Sequence, residues 1–413
     1  MNAPLAAKLL PDTGPAGDPA AAIRRRAREV LLAQGFPTRK VEAWRYFPLD
    51  ALNAREFTPS AAPQSASPSA MALPENCSGV LHFIDGRFDA SASKLPQGCR
   101  LEPSQPDEQA LARLDAASAT DAFAWLNLAC FEQCLRLEIA SALPGPLALV
   151  HRVGRDFAGT AHPRLVMAVA GGVDAELVEV VQGGGPGLVN AHLELILAED
   201  AGLRMRSSRR SEQTVWLQRC RVEVGRDARF DFAVLDGGGA MARHELEVEL
   251  LEPGAQESFR GAAVLDGRSL VEYRTTINHR VGPSTSQTTF RMLADDRSCG
   301  NFNGRVMIAP DADHSDSMLG TGNLLLGEAA RVNIKPELEI YAEEVRASHG
   351  ATVGQLDEAA LFYLRSRGLD LAQATRLLKL AFVRAAFEDL GDTGADRWLL
   401  RQLAARLEAG DVD

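Results

Sequence analysis

What this sequence lacks narrows its class before any motif is read. No apolar run in its 413 residues approaches the ~18 that a membrane-spanning helix needs, so no membrane role is expected. The N-terminus shows no charged-then-apolar leader. Its run Pro4–Leu10 is short, holds Lys8 and leads into Pro11 and Asp12, which reads as a cytoplasmic, non-secreted chain. Basic charge is in deficit: 44 Lys and Arg against 55 Asp and Glu leave a net charge of −11. A nucleic-acid binder is expected to carry the opposite balance. The six cysteines, at 77, 99, 130, 134, 220 and 299, are too scattered for a disulfide framework and suit reduced thiols. There is no phosphate-cradling Gly-x-x-x-x-Gly-Lys-Ser/Thr and no nucleophile elbow. The bulk composition, 46% hydrophobic and 24% charged, is that of a globular protein. The length predicts two or three domains.

The first 57 residues read as helical. Ala20–Ala33 carries Ile23, Val30 and Leu31 with Arg24, Arg25, Arg26 and Arg28, and Gly35 and Pro37 stop it. The arginines are expected to form a solvated face. Trp44, Tyr46 and Phe47 read as a hydrophobic anchor on the body of the protein. Residues 58–74, rich in Ala, Pro and Ser, read as a linker with little to bury. Residues 75–145 form a mixed segment leading into the core. Within it Asp121–Gln133 has helical spacing, and Cys130 and Cys134, four apart, are expected to share a helix face as packed thiols rather than metal ligands.

From about residue 146 to 354 the pattern changes to period-two alternation, the signature of strands, as in Ala175–Val181 and Arg229–Leu235. Turn-like strings recur around Ala175, Ala201, Ala228 and Ala255, at steps of 26, 27 and 27, and around Ala330, close to three more periods on. A fixed period with strands and no helices predicts a solenoid, whose turns stack about 4.8 Å apart. An antiparallel sandwich is the rival. The glycine clusters 183–185 and 237–239 read as turns. Residues 355–413 read as a helical domain: Glu358–Arg367 capped by Asp357, Leu371–Leu390 capped by Asp370 with Gln373, and Asp396–Ala409. In the second helix Leu371, Thr375, Leu378 and Phe382 are expected to share a face.

Two polar clusters are the candidates for chemistry. Asp311, Asp313, His314 and Asp316 have the donors for a divalent metal, against a solvated-loop reading. Glu343–Gly354 holds His349, an imidazole at the end of the β body. By spacing alone His349 is one of eight histidines.

Longer strings carry a resemblance. Asn301-Phe-Asn-Gly-Arg-Val, Asn323-Leu-Leu-Leu-Gly, Lys335-Pro-Glu-Leu-Glu-Ile-Tyr-Ala-Glu-Glu-Val and Ser348-His-Gly-Ala-Thr-Val-Gly-Gln-Leu-Asp-Glu resemble the SufB/SufD family of iron–sulfur cluster assembly proteins, as does Ala360–Gly368. The match is specific over about 299–390. Glu42-Ala-Trp-Arg-Tyr, the chain length and the proline-rich linker resemble the SufD branch. The resemblance implies a mainly β protein, a right-handed parallel β-helix flanked by N- and C-terminal α-helical domains. It implies a non-enzymatic scaffold pairing with a SufB-like paralogue and docking a SufC-like ATPase through its C-terminal helices, with Phe362, Tyr363 and Arg367 as contacts. The alternative for Phe362 and Tyr363 is burial in the helical bundle. No stably bound cofactor is implied, only a transient iron–sulfur cluster at the SufB–SufD joint, where the histidine of the family's Cys-Ser-His-Gly motif maps onto His349, a transient metal ligand. The motif's cysteine is Ala347 here, and Cys299 is the nearest thiol in sequence. The other classes are a β-helix enzyme acting on polysaccharide or acyl groups and a self-associating structural protein, with a homodimer possible in isolation.

Overall fold

A computed structural model describes residues 3–10, 20–58, 73–106, 111–114 and 119–409. Of the expected linker, 58–74, all but Thr58, Leu73 and Pro74 lie outside the described residues. Successive strands alternate between two ten-stranded sheets, so each pair of strands is one turn of a parallel β-solenoid. Sheet one runs from Gly79–Ile84 through Leu147–Arg152, Asp174–Gln182, Gly202–Arg210, Arg229–Asp236, Gln256–Leu265, Thr285–Ala294 and Asp316–Leu325 to Arg346–Gly354. Sheet two runs from Cys134–Ile139 to Arg331–Ile340. Antiparallel strands, Arg87–Lys94 and Cys99–Ser104, close the two sheets at their N-terminal edge.

Period-two alternation builds the core. Alternate residues point into the space between the sheets, and parallel register stacks them in columns. Leu147, Leu177, Met205, Phe232, Phe259, Thr288 and Leu319 form one column, every member buried. Aromatic rings continue from rung to rung: Phe232 to Phe259 at 5.3 Å between centroids and Phe259 to Phe290 at 5.8 Å.

The 27-residue period holds where the corners are short. Ala201, Ala228 and Ala255 are fully buried at one corner, where a larger side chain would meet the turn below. The register step is 27 residues from 229 to 256, then 29, 31 and 30 from 256 to 285, 316 and 346. From Gln256 to Ile340 every strand has ten residues, while the corners vary from four residues at 266–269 and 295–298 to seven at 309–315. Two of the five expected repeat alanines therefore fall elsewhere. Ala175 lies inside a strand, paired with Leu203, and Ala330 precedes Arg331 at the opposite corner. Gly183–Gly185 and Gly237–Gly238 are corner turns, as expected.

Helices cover both outer faces. The segment Ala21–Gln34, the anchor residues Trp44 and Phe47, and Ala122–Cys130 pack on sheet two against Leu188, Val215 and Leu217. Cys134 begins a strand, so Cys130 and Cys134 do not share a helix: Phe131, with extended ψ, ends the helix before it reaches them both.

At the C-terminus the helices are Glu358–Ser366, Leu371–Arg384 and Gly394–Ala409. Asp357 accepts from the backbone N–H groups of Ala359 and Ala360, and Asp370 with Gln373 forms a reciprocal capping box. The middle helix stops at Arg384, short of the expected Leu390, in a tight turn Ala385–Phe387. It buries Ala374 and Val383, while Leu371, expected on its packed face, is exposed. The three helices do not enclose a bundle core. Trp398, Leu399 and Leu403 of the last helix lie on the outer face of sheet one against Ala233, Leu235 and Val178. That is why these sheet-one strands read as continuous apolar runs: both faces are covered. Arg206 Nε donates to Asp396 Oδ1 at 2.6 Å beneath the last helix, and both side chains are buried.

Candidate functional site at the open end

At its C-terminal end the solenoid stops without a cap. Among the described residues Arg346–Gly354 and Arg331–Ile340 are each paired on one side only. Positions that point inward in every earlier turn here meet no further turn among the described residues, so their side chains are left uncovered on that side. His349 pairs with Leu319 and is the next member of the buried column that runs from Leu147. Leu319 is 1% exposed, whereas His349 is exposed. The imidazole thus takes a core position on the first turn that has no roof.

Ala347, two residues earlier on the same face, is half-buried over Ser317. Below it a polar ladder enters the core. The Ser286 and Ser317 hydroxyls lie 2.8 Å apart, and the His279 ring nitrogens sit 2.8 Å from Ser284 and 2.9 Å from Ser286. Burial lowers the His279 pKa to about 4, so this ring is neutral near pH 7.

Cys299, the nearest thiol in sequence, does not stand beside Ala347. Cys299 starts a strand of sheet two at the corner where Arg331 lies, whereas His349 is close to the opposite corner, 341–345. Burial raises the Cys299 pKa. All six cysteines are free, and burial pushes each thiol up, Cys77 to about 11 and Cys130 to about 12. None is an activated thiolate.

The Asp311–Asp316 segment is a corner loop bonded to the corner above it. The backbone N–H groups of Glu343 and Glu344 donate to Asp313 Oδ1, and His314 N–H donates to the Glu344 carbonyl at 2.6 Å. His314 Nδ1 lies 3.3 Å from Glu344 Oε2. Among the described residues no group of three or more His, Cys, Asp or Glu side chains is placed to hold a metal ion.

The helix Glu358–Ser366 buries no side chain. Phe362 is 75% exposed and Tyr363 56%, which overturns the bundle-core alternative for both. Arg367 lies with its guanidinium carbon 5.2 Å from the Tyr363 ring centroid. Leu371 and Leu377 extend this exposed apolar face along the next helix. Ile340, Tyr341 and Val353, exposed at the open end, were not singled out by the sequence reading. Their signal was the end of the alternating pattern at Gly354 with no further turn after it.

The comparisons agree with this architecture. The family model described as the SufBD core domain of SUF-system FeS cluster assembly matches residues 152–382. The chain is 29% identical to the iron–sulfur cluster assembly protein SufD of Escherichia coli K12, over 92% of this chain and 91% of that one. It is 27% identical to an iron–sulfur cluster assembly SufBD family protein of Synechocystis, over 87% and 85%. It is 25% identical to a chloroplastic protein of Arabidopsis thaliana, over 87% and 80%. With the core model spanning more than half of its residues, this chain belongs to the SufBD family of iron–sulfur cluster assembly proteins.

Proposed function

We propose that this chain is a SufD-like scaffold subunit, itself without catalytic chemistry, in a cytoplasmic complex with a SufB-like paralogue and a SufC-like ATPase. The observation that carries the reading is His349, a core-column residue left exposed on an unroofed β-solenoid end. Unpaired strand edges recruit further strands, so the SufB-like partner pairs here and the nascent cluster, as cargo, forms beside His349. Neutral imidazole is a ligand for iron, and the soft thiolate comes from the partner, because Ala347 offers no donor. The domains act as separate parts: 1–57 and 75–145 anchor, 146–354 pairs, and 355–413 docks the ATPase through Phe362, Tyr363 and Arg367. ATP shifts the joint only if the ATPase binds these helices differently with and without nucleotide. A solenoid hydrogen-bonded along its length then acts as a stiff lever from the helices to the open end.

The test is co-expression with the SufB-like and SufC-like proteins of the same source, followed by mass measurement by light scattering. A stable particle of one SufB, one of this chain and two SufC is expected. A chain that stays alone beside soluble partners overturns the reading.

A further inference from the structure

A cavity of about 610 Å³ lies between the N-terminal segment Val41–Tyr46 and the outer face of the last turns of sheet two. Its volume is that of a small-molecule site. Its floor is a grid of polar side chains set by strand register. Arg243, Glu272, Asn301 and Asn333 stack in one row, and Glu245, Arg274, Asn303 and Lys335 in the next. Its roof is tied down by an ion pair between Lys335 and Glu42.

Most of the grid is internally satisfied. Asn303 donates to Glu337 at 2.7 Å, Arg305 to Glu339 at 2.6 Å, and Asn333 to Asn301 Oδ1 at 2.8 Å. Three groups lining the cavity are not. Asn301 is 2% exposed and its Nδ2 donor has no partner. Glu272 is 3% exposed and its Oε2 has none, although Oε1 accepts from Arg243. The half-buried Arg274 guanidinium is attracted by Glu245, Glu272 and Glu337, but no hydrogen bond from it is found among the described residues. A buried polar group left unpaired costs about 1–3 kcal/mol, so the Asn301 donor and the Glu272 oxygen, beside a guanidinium that makes no hydrogen bond, point to an occupant.

The donor set states the chemistry of that occupant. A guanidinium with a side-chain amide is the combination that grips the oxygens of a carboxylate or phosphate. Burial raises the Glu272 pKa and disfavours its charged form, while Arg243 and Arg274 oppose that shift. Tyr46 and Ile334 supply an apolar flank for the remainder of a small molecule. We propose that this cavity is a binding site for a small organic oxyanion, whose carboxylate or phosphate group is held by Arg274 and Asn301 beneath Val41–Tyr46. The site is separate from the open end and does not rest on the docking of any partner.

The test uses the purified full chain alone, titrated calorimetrically with citrate in one arm and inorganic phosphate in the other, at low ionic strength and pH 7. Saturable one-to-one binding is expected in at least one arm, and the arm that responds identifies the group. Arg274→Gln should weaken it about tenfold or more. Asn301→Asp, isosteric but anionic, should do the same, and it keeps the test decisive if Arg274→Gln does not fold. Arg229→Gln, an exposed arginine on sheet one, should bind as the unaltered chain does. Absence of saturable binding in both arms, or binding undiminished in a folded variant at position 274 or 301, overturns the proposal and leaves the cavity to water.

Discussion

His349 stands in register directly over Leu319, on the same inward-facing column, with no strand above it. A histidine at this depth in any earlier turn would be buried between the sheets, as His279 is, with its pKa driven down to about 4. One turn makes the difference between a buried ring and an accessible one. His349→Ala removes an exposed side chain, so the stability change is expected to stay within about 0.5 kcal/mol. Anaerobic cluster reconstitution on the assembled complex is expected to fail. Paired melting curves and cluster absorbance check both halves; a melting loss equal to the functional loss would sink the ligand role.

The exposed face of Glu358–Ser366 predicts a clean separation of folding from docking. Alanine at Phe362, Tyr363 and Arg367 together removes no buried contact. The triple variant should melt with the unaltered chain and lose the SufC-like ATPase in co-purification. Undiminished docking by the folded variant would refute the assignment.

These two sites were legible to different degrees. The solenoid was readable because alternation and corner alanines are local properties, and Ala201, Ala228 and Ala255 do mark one corner. The count failed at Ala175 and Ala330 because corners change length without disturbing the strands, so a spacing near three periods arose by chance across two corners. The family strings picked out His349, but nothing local said that its column ends there. Phe362 and Tyr363 were ambiguous because apolar residues on a helix do not announce whether their cover is the same chain or another. The floor around Arg274 was invisible, since it joins strands 29 to 32 residues apart with a segment more than 200 residues earlier. The Cys130–Cys134 spacing misled because helical periodicity was carried past Phe131.

Acid should unfold the chain in two stages, with opposite group types and the same sign. Burial lowers His151 to about 4 and His162 to about 3. Their unfolded forms bind protons first, so stability falls as pH drops below about 6.5. Glu179 and Asp396 follow. Burial alone would raise both, but Arg209 holds Glu179 down at about 2, and Arg206 holds Asp396 below its usual value. Their contribution is present above the unfolded carboxylate range and is lost as pH falls through the folded values. Asp396→Ala removes one of the two carboxylates on the buried Arg206 and leaves Asp231 as the other, so it should cost about 1–3 kcal/mol. Urea midpoints between pH 8 and 3 measure both effects; a midpoint flat from pH 7 to 5 would contradict the histidine stage.

The open end itself carries the last prediction. Arg346–Gly354 offers one unpaired backbone edge, flanked by the exposed apolar side chains Val353, Ile340 and Tyr341. Such an edge pairs with whatever strand is available, and a lysine on it is the usual deterrent. Val353 is exposed and meets no later turn among the described residues, so Val353→Lys should leave the fold intact. At the joint, however, it places an ammonium where a partner strand must desolvate it. The variant is expected to remain a 44.4 kDa monomer by light scattering while the unaltered chain pairs with its paralogue or, alone, with itself. If the lysine variant pairs as tightly as before, the contact lies elsewhere on the solenoid, and His349 loses its place at the joint.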